Sequence, residues 1–300
     1  MNIKRKKRRK KSIEDWILDI IIYSILIFLA FICFYPLWYV VVASFSSSRY
    51  IASQGAFLVW PEEFSLKAYE FAFQDADIMR GFKNSILIEI LSLPINIVLT
   101  MLCGYFLAST GMKLKKPIVA YIMFTMFFSG GLVPAYLNIK SLGLYDSIWA
   151  LVLPGALSVY NAIICKTAIE GIPESLPESA FIDGASDWQI LWKIILPLIK
   201  PTAAVLVLYY GVTHWNAWFN ASIYLKSTSD LKPAQLVLRY IMIKGGTIED
   251  VTGGGDAEFS LYADTIQYAA IVIITIPILC VYPFLQKHFA KGVMIGAVKG

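Results

Sequence analysis

The chain has 300 residues, of which 58% are hydrophobic and 16% are charged. Soluble globular proteins average roughly 45–50% apolar and about 25% charged residues, so this composition argues against an ordinary solvated domain. The net charge of +5 depends on one segment, because residues 4–11 hold eight of the 26 Lys and Arg residues. Residues 12–300 carry 18 basic and 21 acidic side chains, a net charge of −3. A basic nucleic-acid-binding face on the body is therefore excluded, and a mean hydropathy of +0.64 indicates a lipid environment.

The residues that most enzymes need are scarce. The sequence has two histidines, His214 and His288, and its four cysteines are scattered singly through apolar stretches without a CxxC pair. No GxxxxGK[ST] motif is present, so the chain lacks the loop that cradles phosphates in P-loop ATPases. We therefore expect no catalytic residue, no metal site and no cofactor in this chain.

Six segments are long and apolar enough, or nearly so, to cross a membrane as helices, which takes about 20 residues. Their only titratable side chain with a pKa near neutrality is His214. In chain order they are Ile20–Ala43, Ile90–Thr110, Ile118–Leu137, Ile148–Cys165, Pro201–Leu225 and Thr265–Gln286. They predict an all-α membrane protein with six transmembrane helices, because each backbone polar group in lipid must be satisfied within its segment. Proline or glycine interrupts most of these segments, and the interruptions are either ordinary kinks or bends in helices that line a transport path. They lie at Pro36, Pro94, Gly130-Gly131, Pro134, Pro154-Gly155 and Pro277.

The distribution of Lys and Arg predicts the orientation, since cytoplasmic connections are enriched in these residues. The tail at residues 4–11, the lysines at 113–116 and those at 287–299 fall on one side. The connection after the third span offers only Lys140. Both termini are thus expected in the cytoplasm, with the first span retained rather than cleaved as a signal peptide. The predicted layout is a basic tail at 1–15, a permease domain at 16–290 and a cytoplasmic tail at 291–300.

The connection between the fourth and fifth spans, residues 172–197, has structure of its own. Ser175 with Glu178, and Ser186 with Gln189, fit capping boxes that start two short helices. Gly184 is expected to end the first helix. The second has an apolar stripe and a proline that kinks or ends it, at Trp188, Leu191, Trp192, Ile195 and Pro197. Because the connection is acidic, we interpret it as a docking element rather than as an amphipathic hairpin lying on lipid headgroups, which is usually basic.

The stretch Glu178-Ser-Ala180-x-x-Asp183-Gly184-Ala185, followed by Ile195-Leu196-Pro197, resembles the EAA loop of membrane subunits of binding-protein-dependent ABC importers. Ser179 stands where that loop commonly has its second alanine. The resemblance covers nearly the whole chain and is strongest to the second permease subunit of maltose-type carbohydrate importers. Three further stretches resemble the subgroup for complex and often acidic oligosaccharides, including alginate and other uronate-containing fragments: residues 128–134, 214–219 and 279–296.

The resemblance implies that the helix around Glu178–Ala185 sits in a groove of a cytoplasmic ATPase. The residues expected to couple to that ATPase are Glu178, Ala180, Asp183, Gly184, Ala185 and Trp188. Gly184→Asp, or a bulky residue at Ala180, should abolish ATP-driven uptake. The implied partners are a second permease, two ATPase subunits that bind ATP and Mg, and an extracytoplasmic solute-binding protein. The implied location is the bacterial cytoplasmic membrane, with no nucleic-acid partner.

Aromatic and amide residues at the end of the fifth span suit a carbohydrate path, although aromatic side chains also anchor helices at membrane interfaces. The candidates are Trp215, Asn216, Trp218 and Asn220. His214 has two interpretations, a pH-sensitive gate and, more commonly, a packing residue. Glu89 and Asp264 are expected to mark the membrane boundary. In the second long outer connection, 226–264, Gly253, Gly254 and Gly255 either help to dock the solute-binding protein or form a flexible tether.

The function predicted is that of an oligosaccharide permease subunit, which breaks no covalent bond. An ion-coupled secondary transporter is the first alternative, but it needs an ion site near the middle of the membrane and usually an internal repeat, and neither is found in the sequence. A membrane scaffold that does not transport is the second, and it leaves the 172–197 hairpin unexplained. An acidic substrate should meet basic groups, yet the spans supply none.

Overall fold

A computed structural model describes residues 13–47, 50–51, 58–61, 64–109, 114–243 and 263–296. All regular secondary structure in these residues is helical, in agreement with the predicted class. The helices are α1 Ile13–Ser44, α2 Lys67–Gln74, α3 Ala76–Ala108, α4 Lys115–Phe127, α5 Leu132–Ser141, α6 Trp149–Val152, α7 Val159–Glu170, α8 Ser175–Ile182, α9 Asp187–Leu198, α10 Lys200–Trp215, α11 Phe219–Tyr224, α12 Ala234–Ile243 and α13 Ala263–Gly296.

Among the described residues, α1 and α3 are the two single helices that are long and apolar enough to cross a membrane. Both continue through a proline, Pro36 in α1 and Pro94 in α3. Helix α3 begins at Ala76, well before the predicted start at Ile90, because the Asp75 side chain accepts hydrogen bonds from the N–H groups of Asp77 and Ile78. An N-cap of this kind satisfies backbone donors that the first turn leaves without partners.

The other predicted spans are broken. Helices α4 and α5 meet at 113°, and α9 and α10 meet at 88°, so the described residues contain up to four spans if each bent pair counts as one. Gly131, with φ of +90°, lies in the first of these breaks. The predicted fourth span is divided into α6 and α7, and the predicted fifth span into α10 and α11. Helix length and composition therefore establish two to four membrane spans in the described residues and not the predicted six.

Helix α3 lies at the centre of the bundle and contributes to two separate hydrophobic clusters. Ile78, near its start, packs with residues of α2, α12 and α13. Met101, near its end, packs with residues of α7, α9 and α10. The 1.5 Å rise per residue places these two side chains about 35 Å apart along the helix, which is more than the thickness of a bilayer core.

Glycine allows α3 to approach its neighbours closely at both levels. A Cβ atom at Gly81 would lie 2.9 Å from the Val237 side chain of α12, and one at Gly104 would lie 2.7 Å from the Cys165 sulfur of α7. Both distances are too short for any real side chain. Small residues at such contacts are the usual means by which membrane helices approach each other.

Two ends of the bundle can be distinguished. The hairpin end comprises residues 105–109, the end of α7, and helices α8 and α9, where the Tyr105 hydroxyl donates to Asp187 (2.9 Å). The loop end comprises residues 75–84, 142–148 and 224–243. There Arg80 forms a salt bridge with Asp230 (2.6 Å), and Asn84 donates to the carbonyl groups of Asp230 and Lys232.

Candidate coupling hairpin and substrate groove

Helix α8 ends in a turn that is held by its own backbone. Gly184 has φ of +87°, its N–H donates to the carbonyl of Phe181 (3.0 Å), and the N–H of Ala185 donates to the carbonyl of Ala180 (2.9 Å). These two bonds form a Schellman motif, which satisfies carbonyl groups that a helix end would otherwise leave unpaired. The prediction that Gly184 ends the first short helix is confirmed.

The two alanines of this turn face inward. Ala180 and Ala185 are half-buried and pack against the cluster that contains Ile190, Leu191 and Ile195 of α9. A Schellman motif frequently brings together the side chains at these two positions. Their small size lets α8 lie directly on α9, so the structure places Ala180 and Ala185 in contacts within the chain rather than on its surface.

The two predicted capping boxes have different outcomes. At the start of α9, the Ser186 hydroxyl accepts from the N–H of Gln189 (3.4 Å), and the Gln189 side chain accepts from the N–H of Ser186 (2.9 Å), which confirms the second box. The first was wrong, because α8 begins at Ser175 and has no side-chain cap. The carbonyl of Pro173 already accepts from the N–H of Leu176 (3.1 Å), so the turn starts earlier.

Helix α9 contains a π-helical stretch at Ile190–Ile195. It continues through Pro197 to Leu198, and the chain bends at Ile199, two residues later than predicted. Leu191 and Ile195 of the predicted stripe are buried, together with Ile190, whereas Trp188, in the first turn of the helix, is 58% exposed. Insertions of this kind inside helices are frequently found at functional sites.

The outward surface of the hairpin is apolar and acidic. Phe181 is 68% exposed and Ile182 is 84% exposed, and the carboxylates of Glu178 and Asp183 lie at the surface beside them. Large apolar side chains that are exposed together mark surfaces that another protein or a membrane covers. Of the six residues predicted to couple to an ATPase, four are exposed in the hairpin: Glu178, Asp183, Gly184 and Trp188.

A groove of about 700 Å³ separates the hairpin from the ends of α3 and α7. Glu170, Glu174, Glu178 and Asp187 line it. Of these four, Glu170 pairs with Lys166 (3.0 Å), and Asp187 accepts from Tyr105. The groove is therefore rich in negative charge, which favours a basic group on whatever protein covers it.

A network of polar side chains holds the break between α6 and α7 at the middle of the bundle. Asn96 is fully buried, and its amide donates to the carbonyl groups of Gly155 and Ala156, both at 2.9 Å. Its oxygen lies 3.0 Å from the Nε2 of His214. One side chain of α3 thus satisfies the broken helix and also links it to α10.

Tyr210 supports the same break from α10. Its hydroxyl accepts from the N–H of Ser158 (2.9 Å) and shares a hydrogen bond with the Thr100 hydroxyl of α3 (2.7 Å). The ring of Tyr210 stacks on that of His214, with centroids 6.4 Å apart. Satisfied networks such as this one rigidify a buried region, because each polar group would be costly without its partner.

A groove of about 810 Å³ lies against this network. Its walls are mainly apolar, with polar and aromatic groups from α7, α10 and the start of α11; these include Tyr160, Asn161, Tyr209, Thr213, His214 and Asn220. Aromatic faces and amide groups are typical of ligand sites that combine apolar walls with a few polar contacts.

Residues 12–295 match the family described as the binding-protein-dependent transport system inner membrane component. The chain belongs to this family. The resemblance predicted from the hairpin is thereby confirmed: this permease is a membrane transport subunit of the ABC importer class.

Two relatives and one solved structure narrow the likeness. The polygalacturonan/rhamnogalacturonan transport system permease protein YtcP of Bacillus subtilis strain 168 is 40% identical over 96% of this chain and 100% of YtcP. Protein LplC of the same organism is 40% identical over 88% of this chain and 89% of LplC. A crystal structure of a bacterial ABC transporter involved in the import of the acidic polysaccharide alginate matches with a TM-score of 0.85 and 28% identity, over 94% of this chain and 100% of that one.

The predicted path residues of the permease do not form one surface. Trp215 is buried, and its indole N–H donates to the carbonyl of Ile274 (3.0 Å), which favours a packing role. Asn216 is exposed and accepts from Gln235 (3.4 Å). Trp218 is half-buried beneath Arg239. Asn220 alone of the four lines the large groove. Gly253, Gly254 and Gly255 lie outside the described residues.

Two titratable residues can be compared with what the sequence predicted. Glu89 was expected at the membrane boundary, but both its carboxylate oxygens are buried, with no hydrogen bond of normal geometry from the described part of the chain. One of them lies 3.7 Å from the position of a Cβ atom at Gly211 of α10. His214 is engaged by Asn96 and Tyr210, an arrangement that favours its packing interpretation. The Asp264 side chain lies outside the described part of the structure.

Sequence reasoning missed the residues that organise the groove. Asn96, Thr100, Asn161 and Tyr210 stand within segments read only as apolar spans. Polar side chains inside such segments are rare and usually face protein or a cavity, so the two asparagines carried a usable signal. Their partners come from other helices, and no spacing along the chain reveals them.

Proposed function

We propose that this permease forms half of the translocation path of an ABC importer for oligosaccharides in the bacterial cytoplasmic membrane. The substrates named for YtcP and for the alginate transporter are both acidic polysaccharides. The groove beside Asn96 and His214 adds support, because its aromatic and amide groups match the apolar faces and hydroxyl groups of sugars. An acidic substrate class, rich in uronate, is part of this proposal.

The proposed topology has six spans with both termini in the cytoplasm, in which the third, fourth and fifth are broken helices. Broken helices are tolerated at membrane depth where their polar groups are satisfied by protein or line a cavity. The break at residues 153–158 meets this condition, since Asn96 and Tyr210 supply its hydrogen bonds. This topology places the hairpin end in the cytoplasm and the loop end outside.

The observation that carries the proposal is the construction of the 172–197 hairpin. Its shape is maintained by bonds within the chain, the Schellman turn and the Ser186 capping box, while Phe181 and Ile182 remain exposed. A rigid element with an exposed apolar tip is suited to a partner's pocket. We assign that pocket to a cytoplasmic ATPase subunit, with Glu178, Asp183, Gly184 and Trp188 around the contact.

The contacts also provide a route for coupling. Helix α9 shares one hydrophobic cluster with Met101 of α3, Cys165 of α7 and Leu206 of α10. The same three helices carry Asn96, Asn161 and His214 at the groove. A displacement of the hairpin therefore moves the helices that border the groove, because a close-packed interior transmits strain rather than absorbing it.

The complete importer in this proposal contains a second permease, two ATPase subunits that bind ATP and Mg, and a solute-binding protein. This chain binds no cofactor itself. The outer segment with Gly253, Gly254 and Gly255 is proposed to contact the solute-binding protein, and deletion of these glycines should weaken ATPase stimulation by loaded binding protein.

Co-purification tests the function. The tagged permease should bring down an ATPase subunit in stoichiometric amount, and the reconstituted complex should take up galacturonate oligomers only with ATP. Phe181→Glu should remove the ATPase while the second permease remains bound. Phe73→Glu is the matched control, because Phe73 is also exposed on a short helix, α2, at the opposite end. Ion-dependent uptake by the chain alone would instead establish a secondary transporter.

A further inference from the structure

Arg239 of α12 lies at the loop end, over the indole ring of Trp218. Its Cζ atom is 3.7 Å from the centre of the ring, which is the distance of face-to-face contact. The N–H donors of a guanidinium lie in its own plane, so contact through its face leaves them directed outward from its edge. The side chain is exposed, and the ring beneath it restricts its orientation.

Two other cations at this end are paired with carboxylates. Arg80 pairs with Asp77 and Asp230, and Lys226 pairs with Asp146. Within the described residues, no salt bridge joins Arg239 to a carboxylate. A guanidinium that is held by a ring and has no carboxylate partner among the described residues can bind one, since its fork of donors matches the two oxygens of a carboxylate.

The position of Arg239 connects it with the groove. Trp218 stands between Ala217 and Asn220, both of which line the groove. Gln235, one helical turn before Arg239, donates to Asn216. Residues four apart lie on the same face of a helix, so this face of α12 covers the turn that leads from α10 to α11.

We propose that Arg239 binds the carboxylate of an acidic sugar as it reaches the groove, and so makes the permease selective for acidic over neutral oligosaccharides. The inference rests on the proposed function and extends it to a specificity-determining residue. It also supplies the basic group that the apolar spans lack, from a short helix outside them. A phosphate of a lipid headgroup has related chemistry, and the experiment separates that source.

The test uses the complete importer in liposomes and a series of galacturonate oligomers with no, half or full methyl esterification. Arg239→Gln should lower uptake of the unesterified oligomer by roughly tenfold, the effect of one hydrogen bond to a charged group. This deficit should shrink towards none as esterification removes the carboxylates. Arg239→Lys keeps the positive charge but loses the forked pair of donors, so its uptake of the unesterified oligomer should lie between those of wild type and Arg239→Gln.

Lys232→Gln is the matched control. Lys232 is a cation of the same segment that also lies over an aromatic ring, that of Tyr240, at 5.7 Å. Its removal should leave the ratio of acid to ester uptake at the wild-type value. Each complex is first checked for equal subunit content, so that poor assembly is not mistaken for altered selectivity.

Several results would overturn the inference. One is an equal deficit of Arg239→Gln for all oligomers, which would assign Arg239 to packing. Another is a deficit that follows the content of anionic lipid, which would assign it to a headgroup. If wild type transports only the neutral forms, the inference fails together with the acidic substrate class, while the assignment as a subunit of an oligosaccharide importer stands. If wild type shows no ATP-dependent uptake of any oligomer, both fail.

Discussion

The hairpin end and the loop end of this permease are stabilised in different ways. Within the hairpin, residues close together in sequence bond to each other, as in the Schellman turn at Gly184 and the Ser186 capping box, while one longer bond, from Tyr105 to Asp187, joins the hairpin to α3. At the loop end, the bonds join segments far apart, as in the salt bridge between Arg80 and Asp230.

This difference corresponds to the two tasks proposed for the ends. A hairpin that keeps its shape through local bonds can move as a unit when a partner displaces it. A surface assembled from several segments depends on the arrangement of the helices, so it changes when they move. The hairpin end is thus suited to transmit force, and the loop end to respond to it.

The largest expected effect contrasts two glycines with the same backbone conformation. Gly184 and Gly143 both have positive φ, +87° and +71°, and a Cβ atom at either would meet nothing within 4 Å. Gly184→Asp should lower ATP-driven uptake by more than about tenfold, whereas Gly143→Asp at the loop end should leave it nearly unchanged. Asp tolerates this conformation better than most residues, so strain is small and matched.

Uptake by liposomes that contain equal amounts of each complex is the measurement. Because the chain itself leaves space at both positions, a selective loss at Gly184 identifies a surface that another subunit covers. Equal losses at the two glycines would attribute the effect to backbone strain and remove the assignment of Gly184 to the ATPase contact.

A second pair compares buried polar residues of the same helix. Asn96→Leu loses hydrogen bonds to Gly155, Ala156 and His214, and should lower the free energy of unfolding by about 2 kcal/mol, at roughly 0.6–1 kcal/mol for each bond. Glu89→Leu should destabilise the protein less than Asn96→Leu does, because no described group makes a hydrogen bond of normal geometry to the Glu89 oxygens.

Thermal unfolding of the purified variants in one detergent checks this pair. The network at Asn96 is also the link between the broken helix and α10, so Asn96→Leu should reduce uptake more than Glu89→Leu does. A stable Asn96→Leu protein with normal uptake would show that the break at residues 153–158 needs no support from α3.

Ala180→Leu tests whether the hairpin is stabilised by its own packing. Ala180 lies against the cluster of α9, so the larger side chain should overpack it and destabilise the protein by about 1–3 kcal/mol. Ser179→Leu is the control, since the neighbouring Ser179 is exposed. Limited proteolysis within residues 172–197 should accelerate for Ala180→Leu alone. Unchanged proteolysis combined with lost uptake would assign Ala180 to the partner's surface instead.

Local signals explain what could be predicted. Gly184 as a helix end and the box at Ser186 depend on residues within a few positions, and both were found. Ser175 was misassigned because a serine three residues before a glutamate does not show which backbone turn comes first. The regular helical repeat behind the predicted stripe did not anticipate the π-helical stretch in α9 or the exposure of Trp188 in the first turn.

Contacts between distant segments explain the rest. The role of Asn96 depends on helix α3 facing the break between α6 and α7, which neither segment encodes alone. The proposed role of Arg239 likewise depends on a contact with another helix region, the ring of Trp218 below it. The length of the apolar segments correctly predicted α1 and α3 as single helices. The breaks in the other segments could not be predicted in this way, because neighbouring helices supply the polar groups that satisfy them.

The smallest expected effect concerns Asp146, which joins two loops at the loop end. Its N–H donates to the carbonyl of Tyr224 (2.8 Å), and hydrogen bonds from Ser229 and Lys226 lower the pKa of its carboxyl group. A carboxyl group whose pKa is lowered by folding stabilises the protein above its unfolded-state pKa, about 3.9, and loses this contribution as pH falls through the lower folded value.

Asp146→Asn, which also tolerates the positive φ of +58°, should therefore have a slightly lower Tm than wild type at pH 7. The gap in Tm should begin to narrow as pH falls below about 4 and should close once the pH is below the lowered pKa, where wild type is neutral at this position as well. A gap that stays constant from neutral to acidic pH would mean that the amide disturbs the loop through its shape, and that the charge of Asp146 does not hold the two loops together.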